Sequence, residues 1–315
     1  MSEIIYVKKA AYLTASVMRK YVVPKLEKII EDGKRVAHSK LMDLTEKMIL
    51  SPMKINVKLK AENVDICYPP IFQSGGSYDL RPGAFSNDDN LYFDSGSLIV
   101  CAMGAKYSGY CSNVARTFLI DCSKEKCNAY KVLRQAHDAA IASLIPGSKA
   151  SASYQAAVSV VRGEAPDLLP FLTKSGGTGI GIEFRETWLS LNEKNNMTLK
   201  EGMIFNVSLG FQNLPTKASI EDMKEFSIWL ADTVLISKEK PEVLTAFISK
   251  ADDDAFYSFD EEKTESRYDK PALKAEIVLP LKVKAVLNAE VMIPFKENLR
   301  SSSRTPKEDL RRQLQ

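Results

Sequence analysis

The chain is expected to fold as an α+β protein, with helices packed on one face of a curved antiparallel sheet. Three observations lead there. Apolar residues first recur at helical spacing and then alternate or run together in short strand-like segments. Glycine turns, rather than further helices, join those segments, as a meander requires. The order of long helix, short helix and strands occurs twice, over about residues 1–121 and 122–240. The two halves share no close sequence repeat, so a pseudo-two-fold relation between them would be architectural.

The first helix is read from Ile4, Ala11, Ala15, Met18, Val22, Leu26 and Ile30, with a break around Pro24 and a stop at Gly33. "HSKLMDLTEKMIL" supplies a shorter one, followed by the strands in "VDICYPPIF", "NLYFDSGSLIVCAMG" and "GYCSNVARTFLID". In the second half Ser123 is positioned to cap a helix whose apolar face carries Tyr130, Leu133, Ala136, Ala140 and Leu144, ending at Pro146-Gly147. A second helix, about Tyr154 to Val161, precedes strands in "IGIEFRE", "GMIFNVSLGF" and "FSIWLADTVLI". Residues 1–250 are therefore expected to form one domain. The next stretch changes composition: "DDDAFYSFDEEKTESRYDK" holds eight acidic against three basic residues, so 251–300 reads as a solvated acidic linker with extended segments. The last residues, 301–315, carry a helix start with Thr305 as cap, Pro306 behind it and Glu308 as its capping-box partner, and read as the truncated beginning of a further segment.

With 43 basic and 40 acidic residues and a net charge of +3, the chain lacks the strong basic excess of a nucleic-acid binder, and no direct sequence-specific contact with nucleic acid is expected. Lys8, Lys9, Arg19 and Lys20 interrupt the N-terminal apolar residues, which excludes a signal-peptide core, and no run approaches the length of a membrane span. The five cysteines, at 67, 101, 111, 122 and 127, show neither a CxxC pair nor a nearby histidine. Neither a disulfide framework nor a zinc site is expected, and a reducing compartment fits.

"SGGTGIGIEFRE", Ser175 to Glu186, is the most glycine-rich passage. Gly177, Gly179 and Gly181 alternate and run into an expected strand, whereas a dinucleotide loop needs GxGxxG opening a helix. Glycines that relieve crowding where two backbones pass are the simpler explanation. His38, ahead of the second helix, and His137, within the third, are expected to be exposed or at the boundary of the core.

Four segments, "MGAKYSGYCSNVARTF", "GIGIEFRE", "LKEGMIFNVSLGF" and "LADTVLI", succeed one another in the order and spacing of the pita-bread fold of methionine aminopeptidase, aminopeptidase P, prolidase and creatinase, which the stretch from Ile4 to Ile236 resembles. In the active members two Asp, one His and two Glu hold two divalent metals that generate the attacking hydroxide. The resemblance places those five positions at Ala102, Asn113, Thr178, Ser208 and Ala231. Alanine has no donor atom, and the neutral side chains of asparagine, threonine and serine lack the charge that two adjacent dications require. Arg185 stands where the family has a second, substrate-contacting histidine. Hydrolysis by the family mechanism is accordingly not expected, nor is any cofactor.

Within the fold this profile is similar to the peptidase-like region of the large subunits of FACT-type histone chaperones, through "YCSNVARTFLID", "IGIEFRE", "NVSLGF" and the tail "SRTPKEDLRRQLQ". The resemblance implies a nuclear, chromosome-associated factor acting on nucleosomes in transcription, replication and repair. It also implies histone partners, either the H3–H4 pair or the histone 2A–2B pair, and a smaller HMG-box subunit for the full-length family. The former catalytic cleft would then be a peptide groove lined by Gly177, Thr178, Glu183, Arg185 and Glu186, with Glu183 and Arg185 on one face if their strand is regular. Two other readings are a residual metallopeptidase with ligands outside the family set and an inert truncated paralogue.

Overall fold

The computed structural model describes residues 2–258 apart from 77, 82 and 217–223. These all fall within one compact unit. The linker expected beyond residue 258 and the helix start at 301–315 lie outside the described residues.

Helix α1 (Ser2–Val17) continues into a π-helical turn, Met18–Val22, and then into α2 (Val23–Glu31). The break expected at Pro24 is thus a widened turn rather than an interruption. Proline lacks an N–H and its ring crowds the carbonyl four residues earlier, and one wide turn ahead of it absorbs both defects. Helix α3 (His38–Ile49) leads to β1 (Val64–Ile66), β2 (Ile71–Gln73), β3 (Leu98–Met103), β4 (Ala105–Tyr107), β5 (Tyr110–Cys111) and β6 (Val114–Ile120). The second half repeats the scheme with α4 (Lys124–Ala142), α5 (Ala150–Glu164), β7 (Gly177–Gly179), β8 (Ile204–Pro215) and β9 (Glu225–Leu235). Ser123 caps α4 as expected, its side chain accepting from the N–H of Lys126.

The main sheet runs β2-β3-β6-β9-β8-β7 with antiparallel neighbours, and β1-β4-β5 form a small second sheet. Because strand side chains alternate, each strand presents two sets. Phe205, Val207, Leu209 and Phe211 of β8, with Ile228, Leu230 and Val234 of β9, pack with α4 and α5. Ile99, Cys101, Met103, Phe118 and Ile120 pack with α1, α2 and α3. Val100 and Ala102 of β3, Ala115 of β6, and Trp229 and Ala231 of β9, which alternate with these, form a separate cluster that carries the cleft.

The domain also extends past the edge expected at residue 250. Asp252–Ala255 form a helical turn and Phe256–Tyr257 a strand pairing in parallel with Leu119 and Ile120 of β6. Phe256 packs edge-on to Tyr130 and Tyr257 edge-on to Phe118, so apolar contacts hold the start of the acidic stretch to the body. Cys122 and Cys127 form a disulfide, contrary to the expectation from cysteine spacing. The turn between β6 and α4 brings their Cα atoms to 6.2 Å, a closure that no recognised cysteine spacing signals.

Candidate functional site

The cleft face is built by register. Ala102 of β3 lies opposite Ala115 of β6, Ala115 opposite Ala231 of β9, and Ala231 opposite Ser208 of β8. Three of the five expected positions therefore stand in one row across four strands. Thr178 of β7 pairs with Asn206, two residues from Ser208 and so on the same face. Asn113, just before β6, donates its Nδ2–H to Asn206 Oδ1 at 3.1 Å. The fold thus brings all five positions together from both halves of the chain.

What surrounds them is not a metal environment. The Asn113 amide is engaged at both ends, since its Oδ1 also accepts from the Tyr68 hydroxyl at 2.5 Å. Ser208 Oγ accepts from the indole N–H of Trp229 at 2.8 Å. Ala102, Ala115 and Ala231 are buried in an apolar cluster with Ile71, Val100, Leu80, Ala84 and Trp229. Among the described residues no group of three or more His, Cys, Asp or Glu is placed to hold a metal ion. Two dications need bridging carboxylates, and these side chains offer none, so the residues present do not fit a dinuclear metal centre.

The expected strand "IGIEFRE" is absent. β7 ends at Gly179, after which the N–H of Ile180 reaches Ile204, the first residue of β8, and no β8 backbone is left to pair with the residues beyond Ile180. The chain instead reverses: Gly181 donates to Glu183 O and Glu186 to Gly179 O. Glu183 and Arg185 consequently do not share a strand face. Both are exposed, Phe184 between them turns inward against Tyr68 with ring centroids 4.9 Å apart, and Glu186 accepts from the indole of Trp188 at 2.8 Å. Ile182 and Trp188 are left 63% and 59% exposed on either side of Arg185. Of the expected groove residues, Gly177 and Thr178 lie buried beneath, and Glu183, Arg185 and Glu186 lie on the rim.

Gly177 has φ +121°, and a Cβ there would stand 1.9 Å from Asn206 O. This glycine is required by the close passage of β7 beside β8, in line with the crowding expected of the glycine-rich stretch.

On the opposite face, Arg116 and Asp232 form a buried ion pair at 2.8 Å, with the guanidinium also donating to the carbonyls of Ala115, Ala231, Ile248 and Ser249. Burial alone would raise the Asp232 pKa, but Arg116 and Lys250 outweigh it and hold the carboxyl at about 2. His137 is fully buried rather than exposed, donating from Nε2 to Val207 O at 3.1 Å and accepting at Nδ1 from Lys250 at 2.7 Å. His38 is buried as well, bonded to Asn87 and Ser74, which fastens α3 to the loop after β2. Neither histidine faces the cleft row. Their burial departs from expectation because a buried histidine is stabilised by partners distant in sequence, and spacing cannot show these.

Sequence reasoning also missed Trp229 and Tyr68 as cleft residues. Trp229 had a signal, since it lies two positions before Ala231 and therefore on the same strand face. Tyr68 had none.

Residues 6–238 match metallopeptidase family M24. The chain is 55% identical over 315 residues to FACT complex subunit SPT16 of Zea mays, covering 100% of this chain and 29% of that protein. It is 38% identical over 280 residues to FACT complex subunit SPT16 of Dictyostelium discoideum, covering 88% of this chain and 26% of the relative. The chain thus spans less than a third of the length of the curated relatives it matches. Among solved structures it is similar to the N-terminal domain of FACT complex subunit SPT16 from Cicer arietinum, with a TM-score of 0.80 and 60% identity over 81% of this chain and 60% of that one. The X-Pro aminopeptidase of Thermotoga maritima, 19% identical with a TM-score of 0.63 over 82% of this chain and 63% of its own, shares the fold. The pita-bread architecture is therefore shared with these proteins, and the chain belongs to metallopeptidase family M24, in which it is similar to the N-terminal domain of FACT complex subunit SPT16.

Proposed function

We propose that the chain is a non-catalytic, histone- or peptide-binding module of a FACT-type histone chaperone, acting in the nucleus on chromatin during transcription, replication and repair. The observation that carries this reading is the 55% identity to FACT complex subunit SPT16 along the whole chain. The replacement of all five ligand positions, with the Asn113 and Ser208 side chains bonded to their neighbours, supports the non-catalytic part. The histones are the H3–H4 pair or the histone 2A–2B pair, and the HMG-box subunit is the further partner that the resemblance implies for full-length relatives.

The contact surface is the rim rather than the floor of the former cleft. Arg185, Glu183 and Glu186 stand beside exposed Ile182 and Trp188, which combines apolar area with carboxylates suited to a basic peptide. Calorimetry with each of the two histone pairs tests this. Saturable binding to at least one pair is expected, weakened several-fold by Trp188→Ala and less by Arg185→Ala, because an exposed charge contributes at most about 1 kcal/mol. Absence of saturable binding to both pairs would refute the module. Hydrolysis of Met- or Pro-containing dipeptides with added Co²⁺ or Mn²⁺ would refute its non-catalytic character.

A further inference from the structure

The disulfide between Cys122 and Cys127 joins two cysteines only five residues apart. A cross-link this short removes little freedom from the unfolded chain, because its entropic effect grows with the loop it closes. Both cysteines are partly exposed, whereas Cys101 and Cys111 are buried. A small thiol in solution can therefore reach the pair, and a disulfide that is open to thiols and adds little as a staple has the character of a switch.

What the bond ties together gives the switch an output. Cys122 lies two residues past the end of β6, and Cys127 lies in the first turn of α4. These two elements are the walls that seat residues 250–257. On the β6 side, the N–H of Asp121 donates to Tyr257 O at 2.8 Å, and Phe256 and Tyr257 pair with Leu119 and Ile120. On the α4 side, the Tyr130 hydroxyl donates to Lys250 O at 3.1 Å and its ring lies 5.3 Å from that of Phe256. Arg134 and Lys131 reach the Asp252 carboxylate at 3.1 and 3.9 Å. A contact from the Tyr257 hydroxyl to Glu27 at 3.4 Å belongs to α2 and does not pass through the disulfide, so opening the bond loosens the seat without abolishing it.

We propose that Cys122–Cys127 is a reversible thiol–disulfide site, opened by a small thiol of the glutathione class, that governs how tightly residues 252–257 are seated. The reductant's thiolate attacks the Cys122 sulfur, the S–S bond breaks, and Cys127 departs as a thiolate that then takes up a proton. It departs into the N-terminal turn of α4, where the helix dipole favours negative charge. A second reductant thiolate attacks the reductant sulfur of the mixed disulfide, and Cys122 departs and is protonated in turn. One protein disulfide and two reductant thiols become two protein thiols and one reductant disulfide. With the bond open, the first turn of α4 is no longer fastened to the end of β6, and the two walls of the seat can separate. This inference stands on the position of the bond and does not rest on the histone-binding reading.

The test compares the whole chain prepared with oxidised glutathione and with excess reduced glutathione, by mass-spectrometric mapping after alkylation and by amide hydrogen exchange. Mapping should find Cys122 linked to Cys127 in the first sample and both as free thiols in the second. The fragment carrying residues 252–257 should exchange several-fold faster in the reduced chain, while a fragment carrying Phe205–Phe211 of β8 keeps its rate. Cys127→Ser should exchange at the reduced rate with or without glutathione. The proposal would be overturned by cysteines that stay unlinked under oxidised glutathione, by a bond that survives reduced glutathione in the folded chain, or by equal exchange of residues 252–257 in the two states. An equal rise in both fragments would also overturn it, because that marks loosening of the whole domain rather than of this seat.

Discussion

His137 should make the stability of this domain fall with acidification, by an amount its surroundings set. Its pKa is pushed down to about 3, first by burial and then by the neighbouring Lys250. In the unfolded chain the imidazole titrates near its ordinary 6.5. As pH falls through 6.5 the unfolded state takes up a proton that the folded state refuses, and the deficit grows until the folded pKa is reached. At pH 5, about 1.5 pH units into that window, the loss is about 2 kcal/mol, and at pH 7.5 it is close to zero. Glu27 works the other way: burial raises it to about 7, so the fold favours its acid form and gains stability as pH falls from 7 towards 4.5. Comparison with His137→Gln cancels that contribution, because Glu27 is common to both proteins. Glutamine can still donate to Val207 and accept from Lys250, so the variant should fold. Urea denaturation at pH 7.5 and 5 should show the wild-type chain losing about 2 kcal/mol more than His137→Gln across the interval. Parallel pH dependences would refute a neutral, buried His137.

Asp232→Ala would leave the Arg116 guanidinium buried without its carboxylate, and should cost about 3–5 kcal/mol in the same assay; a loss below about 1 kcal/mol would contradict the ion pair. Gly177→Ala combines a left-handed φ with a Cβ driven into Asn206 O, and should cost about 3 kcal/mol or more, read by thermal melting. Ala231→Glu restores one family ligand type but buries an unpaired carboxylate among Ile71, Val100 and Trp229. It should lower stability by about 2 kcal/mol or more, with Mn²⁺ giving no compensating rise in melting temperature.

The layered fold was legible because it rests on local patterns. Helical spacing from Ile4 to Ile30, the cap at Ser123 and alternation in "FSIWLADTVLI" each correspond to an element in the structure. The convergence of Ala102, Asn113, Thr178, Ser208 and Ala231 was legible through resemblance, and the register and side-chain contacts reproduce it. What escaped depended on the length or position of a partner. "IGIEFRE" has a strand's composition, yet β8 begins at Ile204 and leaves it nothing to pair with. His38 and His137 are held by Asn87, Ser74, Val207 and Lys250, none closer than 36 residues in sequence. Tyr68 reaches Asn113 from a different sheet connection, and no periodicity marks it.

The alanine row has a consequence for redesign. Ala102 and Ala231 are packed with Leu80, Ala84 and Trp229. Restoring a single acid there would therefore meet a hydrophobic neighbourhood before it met a second acid to share a cation with. A single carboxylate introduced at either position would therefore begin by weakening the fold, whatever it later coordinated.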